Sequence, residues 1–369
     1  MKVRLATSLR EFDALAPVWR ELTRESGQTS PFLSHDWFAC CWRTAGPDRR
    51  REAWVIENSH GPVALLPLAY WQGRLRGLPV RMLGILDSPD TPFVEVPAVG
   101  PLEDVIETFL ARLRERGGWD ILRLSNLPAH SSTFKALGSV LSDRFPWRVV
   151  REGQSPYVRI SGTWEAFFRA KTQRFRKTCR SIENRLRRDG EVTVEEHRQV
   201  DPDGALFAEV MEVSRLSWKG ARGLAMATMQ GMPRFFRELT QRASTNGWLH
   251  LWILRFNGSA VATEYQIGAD GQLHALRADF DPALGDLSPG AYLNLHIIRS
   301  LFERQGVHQY NMGPGPNEYK LRWATDADEV VALEVYAPTP YGRFLHAIET
   351  RLAPLARRWR TQLMRRPCA

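Results

Sequence analysis

The chain has 369 residues, enough for one large or two medium domains, and its 43% hydrophobic content is ample for a packed core. A formal charge of +9 at pH 7 points toward anionic partners, a polyanion or an anionic lipid surface, and away from cationic ones. Its four cysteines show no metal-ligand spacing, its start MKVRLATSLREF carries no apolar leader segment, and it contains no run of about 18 apolar residues, so a cytoplasmic protein with reduced thiols, no metal and no spanning helix is expected.

Residues 2–7 read as a strand, and Ser8 caps a helix carrying Leu15, Trp19 and Leu22. Ser34 caps a second helix that begins His35-Asp36-Trp37. Strands follow at 53–58, 62–71 and 79–85, with turns at Asn58-Ser59 and in the Gly-rich stretch 73–78. A helix from Leu102 to Arg116 and a strand from Trp119 to Leu124 complete this order. A second set then repeats it. Strand 156–160 leads to a helical segment at 163–170 and a basic helix at 172–189, then strand 191–197 and helices at 204–218 and 230–246. Strands 248–256 and 259–268 flank Asn257-Gly258, a strong signal for a tight hairpin.

Charge is concentrated in two places. Between Arg169 and Asp189 nine basic residues stand against Glu183 and Asp189, and the segment from Arg343 onward adds Arg351, Arg357, Arg358, Arg360, Arg365 and Arg366 against Glu349. Such clusters attract polyanions or anionic lipid surfaces, or else form solvated helix faces. Phe344, Leu345, Ile348, Leu352 and Leu355 recur at helical spacing, so 339–366 is expected to be an amphipathic helix lying on the protein or on an anionic membrane.

The stretch 273–323 carries the functional signal. Leu273–Phe280 alternates as a half-buried strand does, and Ser288-Pro289-Gly290 places a hydroxyl at an N-cap with proline at the first helical position. Leu293, Ile297 and Leu301 give that helix an apolar face, Gly306 ends it, and 307–312 reads as a parallel strand. Gly313-Pro314-Gly315-Pro316 then forms a turn before a loop ending in Tyr319-Lys320, and 329–337 reads as an edge strand. The first turn of a helix leaves backbone N–H groups unpaired at the positive end of the dipole, so a phosphate or carboxylate can sit there. Glu264 lies in the apolar strand VATEYQIG, where burial would raise its pKa and suit it to act as a base. Tyr319 is a candidate proton donor and Tyr310 a second. Asp279 and Asp281 flank the anion site, with Arg277 as their expected partner.

The combination of SPG at 288–290, YNMGPG at 310–315 and YK-x-RW at 319–323 resembles acyltransferases associated with bacterial cellulose and exopolysaccharide synthesis. These belong to the GNAT superfamily and are related to Fem-type peptidoglycan transferases. The likeness extends to the basic helix 172–189 and to Ser217-Trp218-Lys219, and so covers most of 155–325. Two positions depart from the pattern: Gly290 stands alone beside a proline, and Asn311 replaces an aspartate common among the relatives. The resemblance implies an α/β fold with mixed sheets, built of two tandem GNAT-like units in a Fem-like architecture. Residues 1–150 would be a structural or acceptor-binding unit, 151–338 the catalytic unit, and 339–369 the basic amphipathic helix.

It further implies an N-acyltransferase using acyl-CoA. Lys320 would stabilise the oxyanion, with Tyr319 and Glu264 as the other catalytic groups. Ser288, Gly290, Ala291 and Tyr310 would bind the cofactor, and Trp218, Lys219, Arg174, Arg176 and Asp279 the substrate, a small amine or sugar amine. An aminoacyl-tRNA donor of the Fem kind would suit the Arg-rich helix. A binding protein for nucleic acid or an anionic polysaccharide, without catalysis, is the reading from a different class.

Overall fold

The computed structural model describes residues 1–142, 144–315 and 317–352. The first half runs β1 (Lys2–Ala6), α1 (Leu9–Asp13), α2 (Ala16–Glu25), α3 (His35–Thr44), β2 (Arg50–Asn58), β3 (Gly61–Leu75), β4 (Leu78–Ile85), α4 (Leu102–Arg116), β5 (Ile121–Pro128), α5 (Ser132–Leu141) and β6 (Trp147–Arg159). The second runs α6 (Trp164–Ala170), α7 (Gln173–Asp189), β7 (Val192–His197), α8 (Ala205–Leu216), α9 (Met232–Thr245), β8 (Leu249–Phe256), β9 (Ser259–Ala269), β10 (Gln272–Phe280), α10 (Pro289–Glu303), β11 (Gln309–Asn311), α11 (Glu318–Trp323), β12 (Asp326–Tyr336) and α12 (Pro340–Ala347).

Local chemistry accounts for the better-read elements. Ser8 and Glu11 form a reciprocal capping box at α1. The hairpin β8–β9 turns on Asn257 and Gly258, both at positive φ as its tight turn requires. Helix α4 has acidic residues in its first turn and basic ones in its last, with Val105, Ile106, Phe109, Leu110 and Leu113 facing the core.

All twelve strands join one mixed sheet in the order β1-β2-β3-β4-β5-β12-β6-β11-β10-β9-β8-β7. The same plan occurs twice. β1 to β4 and β7 to β10 form antiparallel ladders, after which a crossover helix leads to a parallel partner, α4 to β5 and α10 to β11. The expected boundary at 150/151 falls inside β6, whose first half, like α5, was not expected from the sequence.

The strand read at 329–337 as an edge is instead central. β12 pairs with β5 and with β6, so that Leu333 faces Leu124 on one side and Val149 on the other. Val330, Val331, Ala332, Leu333 and Val335 are all buried, and such a continuous apolar run marks a strand covered on both faces. One core spans both halves: Trp37 of α3 meets Phe235 of α9 edge-to-face at 5.4 Å, and Asp36 pairs with Arg242. A second core gathers α6, α7, α10 and α11 around Trp164, Cys179, Leu186, Ile298 and Trp323.

The C-terminal segment lies on the protein as far as it is described. Leu345 is fully buried, and Glu349 pairs with Arg76 at 2.6 Å and with Arg148 at 2.9 Å. Residues 353–369, with Leu355 and most of the expected arginines, lie outside the described residues. No helix among the described residues is long and apolar enough to cross a membrane.

Because β12 is bonded to both halves, Leu333→Ala should destabilise them together. The expected cost is about 2–5 kcal/mol, read as a single denaturant transition at a lower midpoint with tryptophan fluorescence and far-UV circular dichroism superimposed. Two separated transitions would show that the halves unfold independently.

Candidate active site

β11 pairs with β10 only from Gln272 to His274, and β10 then runs on to Phe280 without it. A cavity of about 770 Å³ lies where the two strands part. It is lined by Ala275–Phe280 of β10, by Met312–Pro314 after β11, by the first turns of α10, and by parts of α7 and α11.

Ten of the expected site residues line this one cavity: Trp218, Lys219, Glu264, Asp279, Ser288, Gly290, Ala291, Tyr310, Tyr319 and Lys320. Arg174 and Arg176 do not. Arg174 sits on the exposed face of α7, and Arg176 is spent locally, its guanidinium donating to the carbonyls of Arg169 and, at 2.6 Å, Lys171. The basic residues that do form a groove on the outer face of α7 are Lys177, Arg180, Arg185 and Arg188.

Glu264 is 3% exposed, which excludes a solvated strand face. Burial raises its pKa, against hydrogen bonds from Tyr310, Gln266 and Asn294 that lower it. Gln266 donates at 2.7 Å, and the Tyr310 hydroxyl donates to the same oxygen. Tyr310 is itself buried beside this carboxylate, and both effects hold its phenol protonated.

Lys320, read from the sequence as the end of a loop, is instead helical. It lies in the short helix α11, is 7% exposed, and donates from Nζ to the carbonyls of Gly313 at 3.1 Å and Pro314 at 3.0 Å. Burial first, then the charge of Lys219, lowers its pKa to about 8, with Glu264 acting in the opposite sense. Gly313 is needed where it stands: its φ is 78°, and a Cβ there would come within 3.1 Å of the Ala275 carbonyl. Tyr319 is 47% exposed at the cavity lip. Burial of the phenol and then the carboxylates of Glu264 and Asp279 raise its pKa, keeping it in the proton-donating form.

Ser288 does not cap α10. Its backbone is left-handed, with φ 57° and ψ 50°, and its side chain makes no capping bond. The amides of Ala291 and Tyr292 both turn back to the Ser288 carbonyl at 3.1 Å. A left-handed serine costs energy that surrounding structure must sustain, and such residues gather at functional sites. Gly290 packs on Phe280, where a Cβ would approach its ring to 3.0 Å.

The ion pairs also differ from expectation. Asp279 pairs with Lys219 at 2.8 Å and accepts from Ser214 at 3.0 Å, while Arg277 pairs with Asp90 at 2.9 Å. Asp281 caps the turn Pro282–Leu287 through the Ala283 amide. Trp218, 48% exposed, stands at the rim. Asp90 was missed by sequence reasoning, as were its neighbours Pro89, Thr91 and Pro92 and the first-half residue Asn126. The signal was the stretch DSPDTP at 87–92, polar and proline-rich within a long connection. Burial pushes the Asp90 carboxyl up to about 6, against the opposing pull of Arg277. Among the described residues no group of His, Cys, Asp and Glu is placed to hold a metal.

Asp279 is fully buried in its pair with Lys219, so removing the lysine strands a charge. Lys219→Ala should lower stability by about 3–5 kcal/mol, and adding Asp279→Asn should restore much of that loss. Thermal melts of both single variants and the double variant check this; additive losses would refute the coupling.

Residues 173–321 match the sequence family described as Acetyltransferase (GNAT) domain. No curated protein matches the chain by sequence. Among solved structures, the fold is similar to that of FemX at a TM-score of 0.55 and 10% identity, covering 94% of this chain and 100% of that one. It is similar to L-PGS from Bacillus licheniformis at 0.54 and 15%, covering 89% and 94%. It is also similar to a tandem GNAT protein from the clavulanic acid biosynthesis pathway at 0.50 and 11%, covering 92% and 100%. The match to a GNAT acetyltransferase family thus covers residues 173–321 of a chain whose fold is similar to those of FemX and a tandem GNAT protein.

Proposed function

We propose that the chain is an N-acyltransferase that moves an acyl group from a coenzyme A thioester to a small amine, such as an amino sugar of cell-envelope or polysaccharide chemistry, in the cytoplasm. One observation carries this reading: Glu264, Tyr310, Tyr319 and Lys320 line a single cavity with the start of α10. Buried ionisable groups are costly to maintain, and their convergence in a cleft favours catalysis over simple binding.

The chemistry divides among them. A neutral amine attacks the thioester carbonyl carbon, a C–N bond forms, and negative charge collects on oxygen. The Lys320 ammonium donates two N–H hydrogen bonds to the Gly313 and Pro314 carbonyls and has a third N–H to direct at that oxyanion. As the C–S bond breaks, the thiolate takes a proton from Tyr319. Glu264, its basicity raised by burial, receives the proton lost from nitrogen. The unpaired edge of β10 is suited to hold the amide-rich arm of the donor, and the Gly290 amide, the first-turn N–H of α10 not turned back to the Ser288 carbonyl, to meet a phosphate.

Lys320→Ala should lower the rate by about 100- to 1,000-fold, as loss of an oxyanion donor does. It should also cost roughly 1–3 kcal/mol of stability, since the buried Gly313 carbonyl loses its donor. With its pKa at about 8, the Lys320 cation is present below that pH and lost above it. The rate should therefore fall as pH rises through 8, and Lys320→Arg, which does not titrate there, should lose that limb if activity survives. Thiol release measured across pH checks both. Full activity in folded Lys320→Ala removes the assignment.

The outer groove of α7 favours a second reading, a donor carried on tRNA, because Lys177, Arg180, Arg185 and Arg188 form a cationic track beside the cavity. The two donors separate cleanly. Acyl-CoA at 100 times its dissociation constant should stabilise the fold by ~2.7 kcal/mol, an effect that Gly290→Glu should abolish. A tRNA donor would instead show affinity falling steeply with salt and lost when Lys177, Arg180 and Arg185 become Glu. The expected result is a thermal shift with acyl-CoA and none with tRNA.

A further inference from the structure

The cavity has two unlike walls. Where the first half meets β10 it is charged, with the Asp90–Arg277 and Lys219–Asp279 pairs. Toward α7, α10 and α11 it is apolar. The Arg-rich helix α7 turns Phe175, Cys179 and Ile182, at i, i+4 and i+7, inward to this wall. Leu293 and Met312 continue it, and Trp323 closes it with its ring 4.7 Å from that of Phe175. These side chains belong to the second core, so the wall is an opening of packed hydrophobic interior and not a scatter of surface residues.

We propose that this wall holds the acyl chain of the donor, and that the donor is a medium- or long-chain acyl thioester rather than an acetyl one. The proposal rests on the acyltransferase reading. An amine acceptor requires polar partners and finds them on the charged wall, which leaves the apolar wall to the other substrate. Its position agrees: Leu293 lies one helical turn from Gly290, and Met312 lies beside the Gly313 turn that Lys320 holds. A two-carbon group would leave most of a cavity of about 770 Å³ unfilled beside this wall. Sites of ~300–1,000 Å³ enclose whole drug-sized ligands. Burying an extended chain removes that apolar surface from water, and each added methylene should raise affinity roughly three- to fourfold until the chamber is full.

The test titrates the full chain with straight-chain acyl-CoA thioesters of two to twelve carbons. A parallel series uses S-acyl-pantetheines, which lack the phosphates, and a third uses N-alkyl amines in place of the thioester. Affinity is expected to climb with chain length in both thioester series. Ile182→Trp, at a half-buried position, should move the optimum to shorter chains, and Phe175→Ala should move it to longer ones. Thermal melts establish that both variants fold. Affinity independent of chain length, or no binding by any thioester, overturns the proposal, and so does a length dependence confined to the alkyl amines. Chain-length-dependent binding of acyl-pantetheines without amide formation from any thioester would leave the chamber standing and remove the transferase reading.

Discussion

The site depends on the parting of β10 and β11. Backbone N–H and C=O groups left without partners inside a protein are expensive, so a sheet opens there only where something holds it open. Here the short turn after β11 does so. Gly313 takes a conformation that a side chain would strain and approaches the Ala275 carbonyl so closely that a Cβ would sit only 3.1 Å from it. Lys320 then clamps the turn through two of its carbonyls. The residue that props the cleft is thus the one whose charge faces it, and stability and chemistry at this point share a side chain.

That charge, unlike those of Lys219 and Arg277, has no carboxylate within bonding distance. Asp279 answers Lys219, Asp90 answers Arg277, and Glu264 is bonded by Tyr310 and Gln266. Lys320 has only neutral carbonyls within bonding distance, and its pKa falls to about 8 in consequence of burial. In the acyl transfer proposed above, a cation so placed would meet negative charge only as it develops, which is the differential stabilisation that catalysis needs.

Much of this was legible in the sequence because periodicity and turn chemistry report local structure. The Asn257-Gly258 hairpin, the Ser8 cap, the helix after Pro289 and the parallel strand behind Gly306 follow from residues close together in the chain. What escaped depends on distant partners. The run VVAL at 330–333 shows an apolar strand but not that it lies between β5 and β6. Ser288-Pro289 marks a helix start, yet whether its hydroxyl caps depends on a backbone angle set by the preceding turn. Arg277 next to two aspartates suggested the wrong pair, because Asp90 reaches it from the other half. The burial of Lys320 was hidden by composition, since a lysine after a Gly-Pro turn ordinarily faces water.

The duplication raises the question of why, among the described residues, the second half opens a cleft between its parallel strands and the first does not. β4 and β5 also part early, after Met82 and Leu83 pair with Ile121 and Leu122. In the first half, however, the connection from β4 to α4 is long, running from 86 to 101, and it folds back over β5. The Val94 amide donates to the Asn126 carbonyl at 2.9 Å, and the Asn126 side chain donates to the Thr91 carbonyl at 3.0 Å. Trp71 lies against Gly84, where a Cβ would meet its ring at 3.2 Å. The first half therefore satisfies its own backbone where the second leaves an opening. The same connection carries Asp90 across to Arg277, so the segment that closes one unit becomes part of the wall of the other. Specialisation of two copies of one plan here needs no change of topology, only a longer loop after the fourth strand in one and a short clamped turn after the parallel strand in the other.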